Sequence, residues 1–152
     1  MKYVLFFALS FTMLSCNTKR KDAISNDTEA LKEKYAKQRA EASKDTTTVL
    51  IIDEVYNFGQ VTDGDKVEYS YRFVNSGKKP LVIDNASASC GCTVPERPEQ
   101  PIMPGDTGFI KVVFNSSGKV GSVEKNITVK ANVLPSFPQL LLNGEVLKKK
   151  ED

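Results

Sequence analysis

The chain has 152 residues, 40% of them hydrophobic and 26% charged, with 21 basic and 19 acidic side chains and a net charge of +2. That is enough for one domain with a core and too little for two of ordinary size, and the charge balance excludes the basic footprint of a nucleic-acid binder. Histidine and tryptophan are absent. The missing histidine removes Ser-His-Asp and Cys-His catalysis and the usual zinc ligand sets.

Residues 1–15 read as a signal peptide. Met1-Lys2 is a short positive start, and Tyr3 to Leu14 is a mostly apolar stretch too short to cross a bilayer as a helix. Ser15-Cys16 then resembles a lipobox, in which Cys16 becomes the acylated first residue of the mature protein, although Met13 replaces the usual Leu, Val or Ile. Palmitoyl-type chains on Cys16 would anchor the protein at roughly 0.8 kcal/mol per buried methylene. The polar, basic residues that follow, with no acidic run, point to the periplasmic side of an outer membrane.

Residues 16–47 form a lipidated N-terminus and spacer. Residues 27–43 have helix composition without Gly or Pro, with Asn26 or Asp27 as cap and Glu33–Lys37 as an i,i+4 pair. The apolar face is little more than Leu31 and Tyr35, so a solvated spacer is expected. Asp45-Thr46-Thr47 resembles a short O-glycosylation signal.

From Thr48 the texture changes to short β runs separated by turns. Apolar residues cluster at 49–52 and 55–59. Val67, Tyr69, Tyr71 and Phe73 alternate with polar residues, as do Ile110, Val112 and Phe114 and then Val123, Ile127, Val129 and Ala131. Asp63-Gly64-Asp65 and Pro104-Gly105-Asp106 mark turns. The former lacks the oxygen-ligand spacing of a calcium loop. Leu140 to Val146 is the last run, and residues 148–152 are a charged tail. Together these predict an all-β, immunoglobulin-like antiparallel β-sandwich of about seven strands over residues 48–147, with a barrel as the alternative.

The chain's chemistry is concentrated at Cys90-Gly91-Cys92. On a regular strand two cysteines at i,i+2 lie near the upper limit for a disulfide, and Gly91 relaxes the backbone toward a turn. Three readings follow: structural thiols or a quiet disulfide, thiol–disulfide exchange, and Cu(I) held by the two thiolates with Met103 as a third soft ligand. No helix N-terminus or flanking cation is evident to lower a thiol pKa. Pro95, Pro98, Pro101 and Pro104 recur every three residues, the period of one polyproline edge, and are expected to form a stiff crossover or, alternatively, a recognition ridge.

Several short motifs in one order carry a resemblance: Phe58-Gly59-Gln60-Val61, Phe73-Val74-Asn75-Ser76-Gly77, Pro80-Leu81-Val82-Ile83, Cys90-Gly91-Cys92-Thr93 with Pro95, Pro101-Ile102-Met103-Pro104-Gly105, and Phe114 with Ser116, Gly118-Lys119 and Gly121. Over residues 49–146 the chain resembles the bacterial domain of unknown function 1573, common among Bacteroidetes lipoproteins and similar to the immunoglobulin-like sandwiches of the major sperm protein and ciliary ASH type. The resemblance implies export, that fold and a binding role, with no known ligand. The combined expectation is a lipid-anchored, non-enzymatic binding or structural module of the cell envelope, with no cofactor. Its expected partners are the membrane, through Cys16, and an envelope protein or glycan.

Overall fold

The computed structural model describes residues 19–150, with side chains from residue 28. The expected signal peptide and the Cys16 lipidation site lie outside the described residues. Two compact units divide the chain, Met1–Lys32 and Glu33–Asp152. In the first, the described part is the beginning of helix α1 (Lys19–Ala42). The second holds the end of α1 and eight strands. The helix begins at Lys19, not near Asp27, because nothing between them breaks it: the segment lacks Gly and Pro. Among the described side chains its local ion pairs are Lys32–Glu29 and, past its end, Lys44–Glu41, in place of the expected Glu33–Lys37.

The strands are β1 (Val49–Ile51), β2 (Val55–Thr62), β3 (Lys66–Asn75), β4 (Ile83–Ala88), β5 (Thr93–Glu96), β6 (Thr107–Asn115), β7 (Gly121–Ala131) and β8 (Leu140–Leu147). They form two four-stranded sheets, β1-β3-β6-β5 and β2-β8-β7-β4. This is the immunoglobulin-like β-sandwich, with one strand more than expected and one parallel pair, β2 with β8. The two strands of that pair are separated by most of the domain, so no crossover helix is needed to bring them side by side.

The added strand, β5, lies where the proline period suggested a crossover. Pro95 sits opposite Val112 at the sheet's edge, a place that tolerates the missing N–H. The four prolines therefore do not form one ridge: Pro95 belongs to a strand, and the other three shape the loop beyond it.

Alternation decides which side chains go inside. In β3, Val67, Tyr71 and Phe73 are buried between exposed neighbours; in β6, Ile110, Val112 and Phe114 are. They meet Ile127, Leu140 and Leu142 from the other sheet. Tyr71 is fully buried and its hydroxyl donates to the Leu141 carbonyl at 2.8 Å. Burial pushes its phenol pKa up, with Tyr69 and Tyr56 adding to the shift. The folded state therefore keeps a proton that the unfolded chain loses near pH 10, and stability is lost as pH rises beyond that point. The unfolding free energy from urea titrations should fall above about pH 10 by up to about 1.4 kcal/mol per pH unit. A Tyr71→Phe variant should show a shallower fall; an unchanged slope would contradict this assignment.

Candidate functional site

Two features could bear function: the sulfur turn between β4 and β5, and the loop that follows β5. Around both, the polar residues of the sequence motifs are engaged in holding the sandwich.

Cys90 and Cys92 are joined in a disulfide with Cα atoms 5.4 Å apart. The turn is framed by backbone bonds: Ser89 N–H donates to Asn126 C=O, Thr93 N–H to Cys90 C=O, and Asn115 N–H to Cys92 C=O. Gly91 has open space on its Cβ side, while Cys92 packs against the core. The buried Thr93 hydroxyl lies 3.7 Å from the Cys90 sulfur and 3.9 Å from the Cys92 sulfur. The weak metal set of Cys90, Cys92 and Met103 is not assembled. Met103 follows Ile102, whose bridge to Leu81 lies before the start of β4, whereas the cysteines lie past its end. Six residues of strand separate the two ends by roughly 20 Å, and the disulfide occupies both thiols. No cluster of three or more His, Cys, Asp or Glu suited to a metal occurs among the described residues.

The loop from Arg97 to Asp106 closes against the end of α1. Arg39 donates to the Ile83 carbonyl at 2.8 Å and reaches the Pro98 and Glu99 carbonyls, and Arg97 also donates to Ile83. Burial, with the nearby Arg97 charge, lowers the Arg39 pKa, and Asp84 at 3.8 Å offsets part of that. Gln100 donates to the Tyr35 hydroxyl at 2.7 Å. Asn132 reaches the Ala42, Asp45 and Pro80 carbonyls and accepts from Val82 N–H. The last turns of the helix are thus held by specific bonds and are not a purely solvated spacer. The signal missed in the sequence was Arg39, one cation among many in a helix of low apolar content. In the O-glycosylation-like triplet, Thr46 is exposed and Thr47 is buried.

Two grooves flank this loop. One, of about 650 Å³, lies between Tyr35, Gln38 and Ala42 of the helix and Lys79, Pro80 and Met103. The other, of about 560 Å³, runs between the loop and β6 from Thr107 to Lys111, with Tyr35 at its wall.

The motif asparagine, Asn75, is fully buried. Its side-chain oxygen accepts from Thr47 Oγ1 and Gly77 N–H, and its amide donates to the Lys79 and Ile102 carbonyls. Gly77 is required by close approach, since a Cβ there would overlap Thr47 and the Thr48 backbone. Ser116, also fully buried, accepts from Gly64 N–H and donates to Thr62 C=O, while Asp63 accepts from Gly118 N–H. The β2–β3 and β6–β7 turns are therefore locked together.

Comparison with known proteins agrees with this architecture. The family described as "Protein of unknown function (DUF1573)" matches residues 49–146. No curated protein matches the chain. A protein of unknown function from Porphyromonas gingivalis W83 superposes with a TM-score of 0.59 at 15% identity, over 66% of this chain and 47% of that one. The chain thus spans about half of that protein's length. The ASH/PapD-like domain 7 of human CEP192 superposes with a TM-score of 0.54 at 13% identity, over 69% of this chain and 89% of that one. At such identities the likeness is one of fold alone.

Proposed function

The chain belongs to the DUF1573 family of proteins of unknown function, and from that premise we propose that it is a lipid-anchored, non-enzymatic binding module of the bacterial envelope. Its domain would face the periplasm from the outer membrane, with Cys16 as the acylated residue and another envelope protein as partner. The observation that carries the binding role is a group of exposed apolar side chains on the outer face of one sheet, set around the Arg72–Asp53 ion pair. Leu50, Ile52 and Phe109 are about half exposed, at 55%, 48% and 50%. The strand register sets Ile52 and Phe109 on either side of Arg72, with Leu50 in the next row beside Val74. Grouped exposed apolar side chains on a sheet face mark contact surfaces. The motif residues Asn75, Gly77 and Ser116 support the same reading, because they hold the fold and leave recognition to the surface.

Growth on an alkyne-bearing palmitate should label the full-length protein, and Cys16→Ser should abolish labelling and release it from membranes. Labelling that persists in Cys16→Ser would remove the anchor. Cross-linking in intact envelopes should return one reproducible partner at fixed stoichiometry; repeated recovery of none would overturn the binding role.

The Cys90–Cys92 pair favours a second reading, thiol–disulfide exchange with a dithiol protein. A thiolate of that protein would attack one sulfur, forming a mixed disulfide and releasing the other as thiolate. Its second thiol would then leave Cys90 and Cys92 as a dithiol and itself oxidised. A ring closed between near neighbours restrains the unfolded chain little. The Cys90→Ser/Cys92→Ser variant should therefore lose less than about 2 kcal/mol in urea unfolding. A reduction potential below about −300 mV would assign the pair to structure and end the exchange reading. An envelope partner trapped as a mixed disulfide by one single-cysteine variant would support it.

A further inference from the structure

We infer that the groove beside β6 receives an extended, basic segment of a partner protein as an added strand; this rests on the binding role proposed above and names its site. The reason lies in the register. β6 is paired with β3 along its whole length, from Thr107 to Asn115, but with β5 only from Lys111 to Phe114. Backbone groups of successive residues in an antiparallel sheet point to opposite neighbours. Asn115 N–H donates to Cys92, on the β5 side, so the odd-numbered residues of β6 face that side. Ile52 N–H donates to Arg72 and Asn75 N–H to Asp106, which fixes the same alternation across β3. The N–H and C=O of Phe109 therefore face the side where β5 has already ended. The residue that would continue β5 opposite Phe109 is Pro98, which has no N–H to offer, and its carbonyl is taken by Arg39 and Arg97.

What remains is a groove with one unpaired stretch of strand along its floor. Its apolar lining includes the exposed Phe109 ring, Tyr35, Pro98 and Pro101. Its charge selects the occupant. The lining sets three carboxylates, Glu96, Glu99 and Asp106, against two cations: Lys111, already paired with Glu68 at 3.4 Å, and Arg97, which stays charged while it donates to the Ile83 and Pro98 carbonyls. All three carboxylates are exposed and none lies within ion-pair distance of a cation among the described residues, although Glu99 acts on the Arg39 charge and Glu96 sits opposite Lys111 across the strands. An extended segment with lysine or arginine at alternate positions would complete the sheet and meet those carboxylates, the strand-addition mode of peptide recognition. Four residues, roughly 13 Å of strand, fit alongside the stretch from Thr107 to Ile110.

The test uses two capped hexapeptides, Lys-Val-Lys-Val-Lys-Val and Glu-Val-Glu-Val-Glu-Val, with amide hydrogen exchange read by NMR on the mature chain. In the free protein the Gly108 and Ile110 amides should exchange slowly and Phe109 quickly. The lysine peptide should protect Phe109. Glu96→Lys/Glu99→Lys should weaken it about tenfold and favour the glutamate peptide instead. Both positions are exposed, so the variant should fold; a second variant, Phe109→Ser, should also lose binding. The inference is overturned if Phe109 is already protected in the free protein, if neither peptide binds, or if protection falls on Val49 and Ile51 of the other edge. An envelope partner that still cross-links to Glu96→Lys/Glu99→Lys would remove the groove while leaving the binding role standing. Peptide binding without any envelope partner would do the reverse.

Discussion

Asn75→Ala should cost about 3–5 kcal/mol of unfolding free energy, a large part of what a domain of this size has. Asn75 ties together the entry to β1, the loop after β3 and the loop before β6. Removing it strands two donors, Thr47 Oγ1 and Gly77 N–H, and two acceptors, the carbonyls of Lys79 and Ile102. Asn75 and Thr47 are buried while Gly77 and Lys79 lie in a partly exposed loop, so each group left without a partner away from water costs about 1–3 kcal/mol, less whatever relaxation or hydration recovers. Thr47→Val removes one bond of the set and should cost only about 1 kcal/mol. Asn75→Asp keeps the acceptor and loses both donors. Burial raises the pKa of the new carboxyl, so this variant should recover stability as pH falls from 7 to 5, because the protonated form is neutral and can donate. Urea unfolding of the three variants checks the series. A loss below about 1 kcal/mol for Asn75→Ala would mean that its bonds are replaced by water.

The different fates of the sequence expectations have physical causes. The alternation of Val67 to Phe73 and of Ile110 to Phe114 placed one face inside, and it does so in the fold. The turns at Gly64 and Gly105 were visible because positive φ favours glycine. β5 was not visible. Thr93-Val94-Pro95-Glu96 is short and contains a proline, and its pairing with β6 is a non-local event that no local pattern records. The same holds for the parallel register of β2 on β8. The cysteines were conspicuous as a candidate site, yet spacing alone left three chemistries open; the turn of the chain between β4 and β5 brings the sulfurs together. Arg39 was hidden for the opposite reason. Its role depends on carbonyls at Ile83, Pro98 and Glu99, between 44 and 60 residues away. The unpaired stretch of β6 belongs to the same class, since an absent neighbour leaves no mark on the strand that lacks it.

Phe114→Ala should likewise cost about 3–5 kcal/mol, and here the cause is a cavity. The ring is fully buried at the centre of the sandwich, between Val67 across β3 and Thr93 across β5. It stacks on Phe58 from the opposite sheet, with centroids 5.7 Å apart. Phe114→Leu keeps most of the volume and should lose less than about 1.5 kcal/mol. Phe58 in turn lies against the backbone of Gly144, where a Cβ would overlap its ring. Gly144→Ala should therefore push Phe58 toward Phe114 and cost about 1–3 kcal/mol through overpacking. Combining Gly144→Ala with Phe58→Ala supplies the discriminating measurement. If the glycine is there to admit the ring, the small side chain relieves the overlap, and the double variant is more stable than the sum of the two single losses allows. Strict additivity would mean that Gly144 serves the backbone of β8 and not the aromatic stack.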